Sequence, residues 1–260
     1  MPSSDKTSPD KSNPKQVSPR VAIVTGGSRG IGAAVSLRLA AAGHAVVVNY
    51  ASRAEAAENL VLRIADSGGR AIAARGDVAD PAATRDLFDL AEQTFGGVDV
   101  LVANAGILDA RLPRIAETGD DDFDRIFAVN VKGVFNPLRE AAQRLRDGGR
   151  IVTLSSTALA LNLPGYGVYA ASKAAVETLS RFLAHELRGR NITVNTVAPG
   201  PVATELFFAG KSEERVAQLA KLAPLERLGQ PEDIAGVVAF LATDGGWING
   251  QLLRANGGIA

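Results

Sequence analysis

From Val21 onward the chain alternates short apolar runs with longer amphipathic stretches. "VAIVT", "AVVV", "AIAARGDV", "VDVLVAN", "RIVTLSS", "ITVNTV" and "QLLRAN" are continuous enough to be strands buried on both faces, whereas a half-exposed antiparallel strand would alternate apolar and polar residues. Between them, "AAVSLRLAAAG", "RAEAAENLVLRIADSG" and "DPAATRDLFDLAEQTFG" have the spacing of amphipathic helices. Asp80-Pro81 and Gln230-Pro231-Glu232-Asp233 are helix starts, with proline in the first turn and acids at the positive end of the helix. Longer helices are expected from about Asp122 to Leu145 and from Val168 to Arg188. This order predicts a doubly wound α/β fold: a parallel sheet of about seven strands, helices on both faces, and ligands gathered at the carboxyl ends of the strands. No internal repeat breaks it, so residues 19–260 read as one domain.

Residues 1–18, "MPSSDKTSPDKSNPKQVS", are nearly devoid of apolar groups and cannot offset the entropy of ordering, so a disordered tail is expected. It lacks the apolar stretch of a signal peptide, and no later run reaches the length of a membrane helix. A soluble, cytoplasmic protein with no membrane partner is the expectation. Lys plus Arg and Asp plus Glu each number 28, and this balance gives no reason to expect nucleic acid as a partner. The absence of cysteine excludes thiolate catalysis and disulfides, and His44 and His185 lack neighbours at ligand spacing, so no metal site is expected.

Candidate chemistry begins after the first strand, where "TGGSRGIG" joins a strand to an alanine-rich helix. Gly26, Gly30 and Gly32, with Ser28, Arg29 and Ile31 between them, form a turn that can bring backbone N–H groups against a dinucleotide pyrophosphate at the helix start. At the end of the second strand an NAD-selective site normally carries an acid for the ribose 2′-hydroxyl. Here Asn49, Tyr50, Ala51, Ser52 and Arg53 stand in that region, and no acid follows until Glu55. Arg29 and Arg53 are then available to a 2′-phosphate, which favours NADP(H) over NAD(H).

The stretch "GYGVYAASKAAVE" places Tyr169 and Lys173 four residues apart, on one face of a helix. An ammonium near a phenol favours the phenolate, so the Tyr169 pKa is expected to fall, further so beside an oxidised nicotinamide. Tyr166, in a glycine-flanked loop, is the competing phenol and a candidate pocket residue. Ser155 and Ser156 end a strand and point to opposite faces, and the residues alone leave the choice between them open.

These motifs, in this order, resemble those of the short-chain dehydrogenase/reductase family from about Arg20 to Gly258. The resemblance rests on the glycine loop, Asn104-Ala105-Gly106, Asn130, Ser156, Tyr169, Lys173, Pro199-Gly200, Thr204 and the terminal "GQLLRANGG". One departure is Ala103, where the family more often has a second asparagine. The resemblance implies a Rossmann-type fold and a catalytic group of Ser156, Tyr169, Lys173 and Asn130, with Asn130 bending its helix around a water that links Lys173 to solvent. It also implies cofactor contacts from Asp77 and Val78 at the adenine, from Asn104, Ala105 and Gly106, and from Pro199, Gly200, Val202 and Thr204. A homotetramer and a small-molecule carbonyl or alcohol substrate are further implications. Ketoacyl reductases and polyhydroxynaphthalene reductases are matched about equally. Residues 203–230 are expected to form a helical flap whose Leu206, Phe207 and Phe208 suit an apolar substrate. The reading is a NADPH-dependent reductase of ketones or aldehydes. Its rivals are an alcohol or sugar dehydrogenase working in reverse and a silent NADP-binding regulator.

Overall fold

The computed structural model describes residues 19–260, so the expected tail lies outside the described residues. Seven parallel strands form one sheet in the order β3-β2-β1-β4-β5-β6-β7. They are β1 (Val21–Val24), β2 (Ala45–Tyr50), β3 (Arg70–Arg75), β4 (Val98–Ala103), β5 (Leu145–Leu154), β6 (Thr193–Pro199) and β7 (Leu252–Ala255). All seven coincide with the apolar runs of the sequence. The order reverses between β1 and β4, which opens a crevice at their carboxyl ends.

Both faces of the sheet are covered, which is why the strands read as unbroken apolar runs. Along β1, Ala22 and Val24 enter one core with Leu39 and Leu60, while Val21 and Ile23 enter the other with Phe88 and Leu138. The first core lies under α1 (Gly30–Ala41), α2 (Ala54–Asp66) and the late helix α10 (Pro231–Ala242); α1 and α10 pack directly on each other. The second lies under α3 (Pro81–Phe95) and two further helices described below. Helix α3 begins as expected: Pro81 fills its first position, the Asp80 carboxylate accepts from Ala82 N at 2.8 Å, and Gly96 ends it at φ +86°.

The helix expected from Asp122 to Leu145 is interrupted. It comprises α4 (Asp120–Phe127), a π-helical turn over Ala128–Lys132, and α5 (Gly133–Arg144), and Leu145 already belongs to β5. Asn130 sits in the wide turn, so the polar residue that disturbs the apolar pattern coincides with the irregular backbone. After β5 come a short α6 (Ala158–Leu161) and α7 (Gly167–Glu186). The flap follows β6 and carries α8 (Glu205–Phe208) and α9 (Glu213–Ala220). Its neck is closed by backbone bonds from Gly229 N to Pro201 O and from Ala203 N to Gly229 O, each 2.9 Å. No helix among the described residues is long and apolar enough to cross a membrane.

Because the sheet separates the two cores, substitutions on opposite faces should act independently. Ile64→Val in one core and Ile151→Val in the other should each cost about 0.5–1.5 kcal/mol. The double variant should lose the sum to within about 0.5 kcal/mol. Equilibrium urea unfolding of the three variants checks this.

Candidate active site

A cleft of about 470 Å³ runs along the carboxyl ends of the strands. It is lined by every cofactor-site residue expected from the sequence, from the glycine loop to Thr204, and by Ser156, Tyr169 and Lys173. Of the expected cofactor and catalytic residues, Asn130 alone lies outside its wall, fully buried behind it.

At the glycine loop, Gly26 and Gly30 adopt φ of +59° and +51°, which side chains rarely allow. A Cβ on Gly32 would stand 2.2 Å from Gly26 O, so the unusual spacing of the motif is imposed by contact of the loop with its own helix. Three side chains fix this backbone. Asn104 Nδ2 donates to Thr25 O and Gly26 O, both at 3.0 Å. Thr25 Oγ1 accepts from Asn104 N and Ala105 N. Asn49 Oδ1 accepts from Gly26 N at 3.3 Å while its Nδ2 donates to Ala74 O and Gly76 O. The Asn49 amide is thus spent on joining the loop to β3. Nothing caps the start of α1: no side chain bonds its first N–H groups and no acid lies in its first turn. Such an end is suited to an anion.

At the β2 end of the cleft the structure adds an acid that the local sequence does not contain. Glu205, from the flap, brings its Oε2 to 3.2 Å from Arg29 Nη1 and 3.1 Å from Arg53 Nη1. The expectation that this corner is free of carboxylate is corrected accordingly: the acid arrives from the fold, 152 residues beyond Arg53. Asp77 lines the neighbouring wall and closes a local turn by accepting from Ala79 N at 2.9 Å.

At the other end, helix α7 presents Tyr169 and Lys173 from its first two turns. Lys173 is buried, and its ammonium donates to Leu154 O at 2.9 Å. This uses one of its three N–H groups. Burial pulls its pKa down to about 8. Burial also pushes the Tyr169 phenol up to about 12, opposed by a polar contact with the Ser156 hydroxyl. Burial therefore outweighs the lowering of the phenol anticipated from Lys173. The ammonium stands 5.8 Å from the ring centroid, and removal of the phenol from water dominates.

The two serines differ in their partners. Ser155 is buried and donates to Glu177 Oε1 at 2.5 Å, whereas Ser156 contacts Tyr169 and accepts from Ala158 N. Tyr166 caps the start of α7 and meets Tyr169 edge to face, with centroids 6.5 Å apart. Asn130 is saturated: its Oδ1 accepts from Ile107 N at 2.8 Å, and its Nδ2 donates to Ile107 O at 2.9 Å and to Ser172 Oγ at 3.1 Å. Ser172 in turn donates to Tyr169 O at 2.6 Å. The amide thus locks the segment after β4 to the backbone of the tyrosine.

Beyond Tyr169 the cleft is bounded by Leu108, Leu161, Leu163, Tyr166 and the flap residues Leu206, Phe207, Lys211 and Leu219. Phe208 turns outward instead, 44% exposed. Lys211 and Glu205 are the charged lining residues that the sequence reading missed. Both follow Thr204 in the flap, and proximity to that motif residue is the one signal that could have found them.

A family model described as enoyl-(acyl carrier protein) reductase matches residues 26–260. The chain is 52% identical over 248 residues to a short-chain type dehydrogenase/reductase of Picea abies, covering 92% of each protein. It is 48% identical to the NADPH-dependent aldehyde reductase-like protein, chloroplastic, of Arabidopsis thaliana, over 94% of this chain and 96% of that one. A blue fluorescent protein from a metagenomic library, solved in complex with NADPH, superposes with a TM-score of 0.87 at 41% identity, over 93% of this chain and 98% of the other. With the fold, the glycine loop and these likenesses together, the chain belongs to the short-chain dehydrogenase/reductase family.

Proposed function

We propose that the protein is a NADPH-dependent reductase of apolar ketones or aldehydes. One observation carries this reading: a single cleft joins the arginine pair and uncapped α1 at one end to Tyr169, Ser156 and Lys173 at the other, under a largely apolar flap. NADP(H) fits the cleft. The backbone of Gly30, Ile31 and Gly32 would receive the pyrophosphate, Arg29 and Arg53 the 2′-phosphate, and Asp77 and Val78 the adenine, with Gly106 and Lys173 at the nicotinamide ribose. When bound, NADPH supplies hydride to the carbonyl carbon.

The chain's own residues supply the proton and hold the oxygen. Tyr169 keeps its proton throughout the neutral range, because burial raises its pKa, and so stands ready to donate it to the substrate oxygen. The Ser156 hydroxyl donates a second hydrogen bond to that oxygen and steadies the charge that develops there. Lys173, anchored by Leu154 O, keeps two further N–H groups with which it would hold the ribose of a bound cofactor. Asn130 acts through Ile107 and Ser172 as a positioning residue. The intact Tyr169–Lys173 pair speaks against a silent regulator, which requires neither. Consumption of NADPH against ketoacyl thioesters, quinones, cyclic ketones, aldehydes and sugars tests the substrate class; turnover of polar sugars alone would overturn the apolar reading.

We also infer a homotetramer. Phe123, Phe135 and Phe182 are exposed on α4, α5 and α7, and Phe240, Trp247 and Leu252 on and around α10 and β7; Trp247 is fully exposed. Two such apolar patches suit two subunit contacts. Light scattering should give four times the chain mass of 27.0 kDa, and Phe182→Asp should lower it.

Tyr169→Phe keeps the ring and removes the proton. Single-turnover reduction should fall by about 10²–10⁴-fold, the range for a lost general acid, with the NADPH dissociation constant little changed. Tyr166→Phe should retain most activity. A fall with Tyr166→Phe alone would transfer the donor role to that residue.

Lys173→Met keeps most of the side-chain volume and removes the buried charge. Between about pH 8, where the native lysine loses its proton, and 10.5, where the unfolded one does, only the unfolded state binds the proton. Stability of the parent should therefore rise with pH across this window. Below pH 8 the buried charge costs on the order of 3 kcal/mol. The cofactor-free variant should melt above the parent at pH 7, and the gap should shrink as pH is raised towards 10. Parallel melting curves from pH 7 to 10 would show that the charge is not strained by burial.

A further inference from the structure

We propose that Glu205 is an internal stand-in for the cofactor's 2′-phosphate: its carboxylate holds Arg29 and Arg53 together and the flap against the glycine loop until a 2′-phosphorylated ribose displaces it. This rests on the reading that Arg29 and Arg53 receive that phosphate. Three observations carry it.

The first is that one carboxylate oxygen serves both guanidinium groups, at 3.2 and 3.1 Å, although the two arginines come from different segments, the glycine loop and the turn after β2. A phosphate recognised by the same pair requires the same convergence of N–H donors. The two anions therefore compete for one place, and an exchange of partners, with no approach of new cations, is what binding entails.

The second concerns strength. The three side chains are 53%, 56% and 66% exposed. Ion pairs so open to solvent contribute little to stability. A doubly charged phosphate, with more acceptor oxygens than one carboxylate, outcompetes such a contact. An adenosine ribose with a free 2′-hydroxyl does not, so the same carboxylate that yields to NADPH stays in place when NADH is offered. Displacement thus weakens binding of the 2′-phosphorylated cofactor alone, so Glu205 tempers the affinity for NADPH and narrows its margin over NADH.

The third is its place in the chain. Glu205 opens α8, directly after Thr204, whose hydroxyl accepts from Phe207 N at 3.2 Å to cap that helix. Thr204 also packs on the glycine loop: a Cβ on Gly30 would meet Thr204 Cγ2 at 3.3 Å. The front of the flap is thus held at two adjacent points, one apolar and one ionic. Only the ionic one responds to the cofactor. Leu206 and Phe207, the next two residues, line the substrate end of the cleft. Release of Glu205 therefore frees the segment that walls the substrate pocket, which makes the phosphate at one end of the cleft a signal at the other.

The probes are 2′,5′-ADP, which carries the 2′-phosphate without a nicotinamide, and 5′-AMP, which lacks it. Binding by calorimetry and amide hydrogen exchange over residues 203–212 are the readouts, on the parent, Glu205→Gln and Arg29→Ala/Arg53→Ala proteins. Glu205→Gln should bind 2′,5′-ADP about 3- to 10-fold more tightly than the parent, as removal of a competing exposed ion pair allows, with 5′-AMP unchanged. In the parent, 2′,5′-ADP should speed exchange over 205–209 and 5′-AMP should not. In Glu205→Gln this exchange should already be fast and respond to neither. Unchanged or weaker 2′,5′-ADP binding by Glu205→Gln would overturn the proposal, since the carboxylate would then be neutral or would orient the arginines for the ligand. The double arginine variant separates the underlying reading: if it still prefers 2′,5′-ADP to 5′-AMP as the parent does, the phosphate site itself lies elsewhere.

Discussion

The site depends on how closely the glycine loop can be pressed against the ends of β1, β2 and β4. Gly32 leaves no space for a methyl group beside Gly26 O, and Gly26 in turn lies against Ala105. Backbone brought so near to backbone must have its polar groups answered locally. Asn104, Thr25 and Asn49 do this from three strands, which turns the loop into a rigid rim. The first N–H groups of α1, which no side chain caps, are then left for the cleft. Cofactor recognition at one end and carbonyl chemistry at the other share this rim, and Asn104 ties the two through its neighbour Gly106, which borders Lys173.

The reacting end is organised around a different difficulty, a buried cation beside a half-buried phenol. Their pKa values move in opposite senses for the same reason, burial penalising whichever form is charged. The protein tolerates this by giving the ammonium a carbonyl and by fixing the phenol's backbone through Ser172 and Asn130. The π turn around Asn130 belongs to the same solution: an irregular stretch of helix lets an amide reach the backbone of the loop after β4.

The sheet was legible in the sequence because burial on both faces leaves an unambiguous signature in the inner strands, while the partly exposed edge strands β3 and β7 carry it only weakly. The cleft was legible because its residues sit at strand ends, where chain order and spatial position coincide. Interactions between segments far apart were not. No local pattern indicates that Glu205 meets Arg53, nor that Glu177 engages Ser155 while Ser156 stays in the cleft wall. The direction of the Tyr169 shift was misread because spacing along a helix reveals which groups are neighbours and says nothing of how dry they are. The break in the long helix was signalled by Asn130 itself, though the form of the break, a π turn, depends on tertiary partners.

The neck of the flap has a consequence for how this scaffold varies. Two backbone hydrogen bonds between the Pro201–Ala203 segment and Gly229 join the ends of the excursion before any of its side chains is considered. Once the ends are pinned, the entropy of closing the loop grows only with the logarithm of its length, so each doubling costs about 0.6 kcal/mol. Residues can then be inserted or removed between Thr204 and Leu228 with small effect on the sheet. The flap sets one wall of the space beyond Tyr169, while Leu108, Leu161, Leu163 and Tyr166 form the other and the reacting groups are set by strands and by α7. One wall of the pocket can therefore be refitted to larger or smaller carbonyl compounds while the opposite wall and the reaction centre stay as they are.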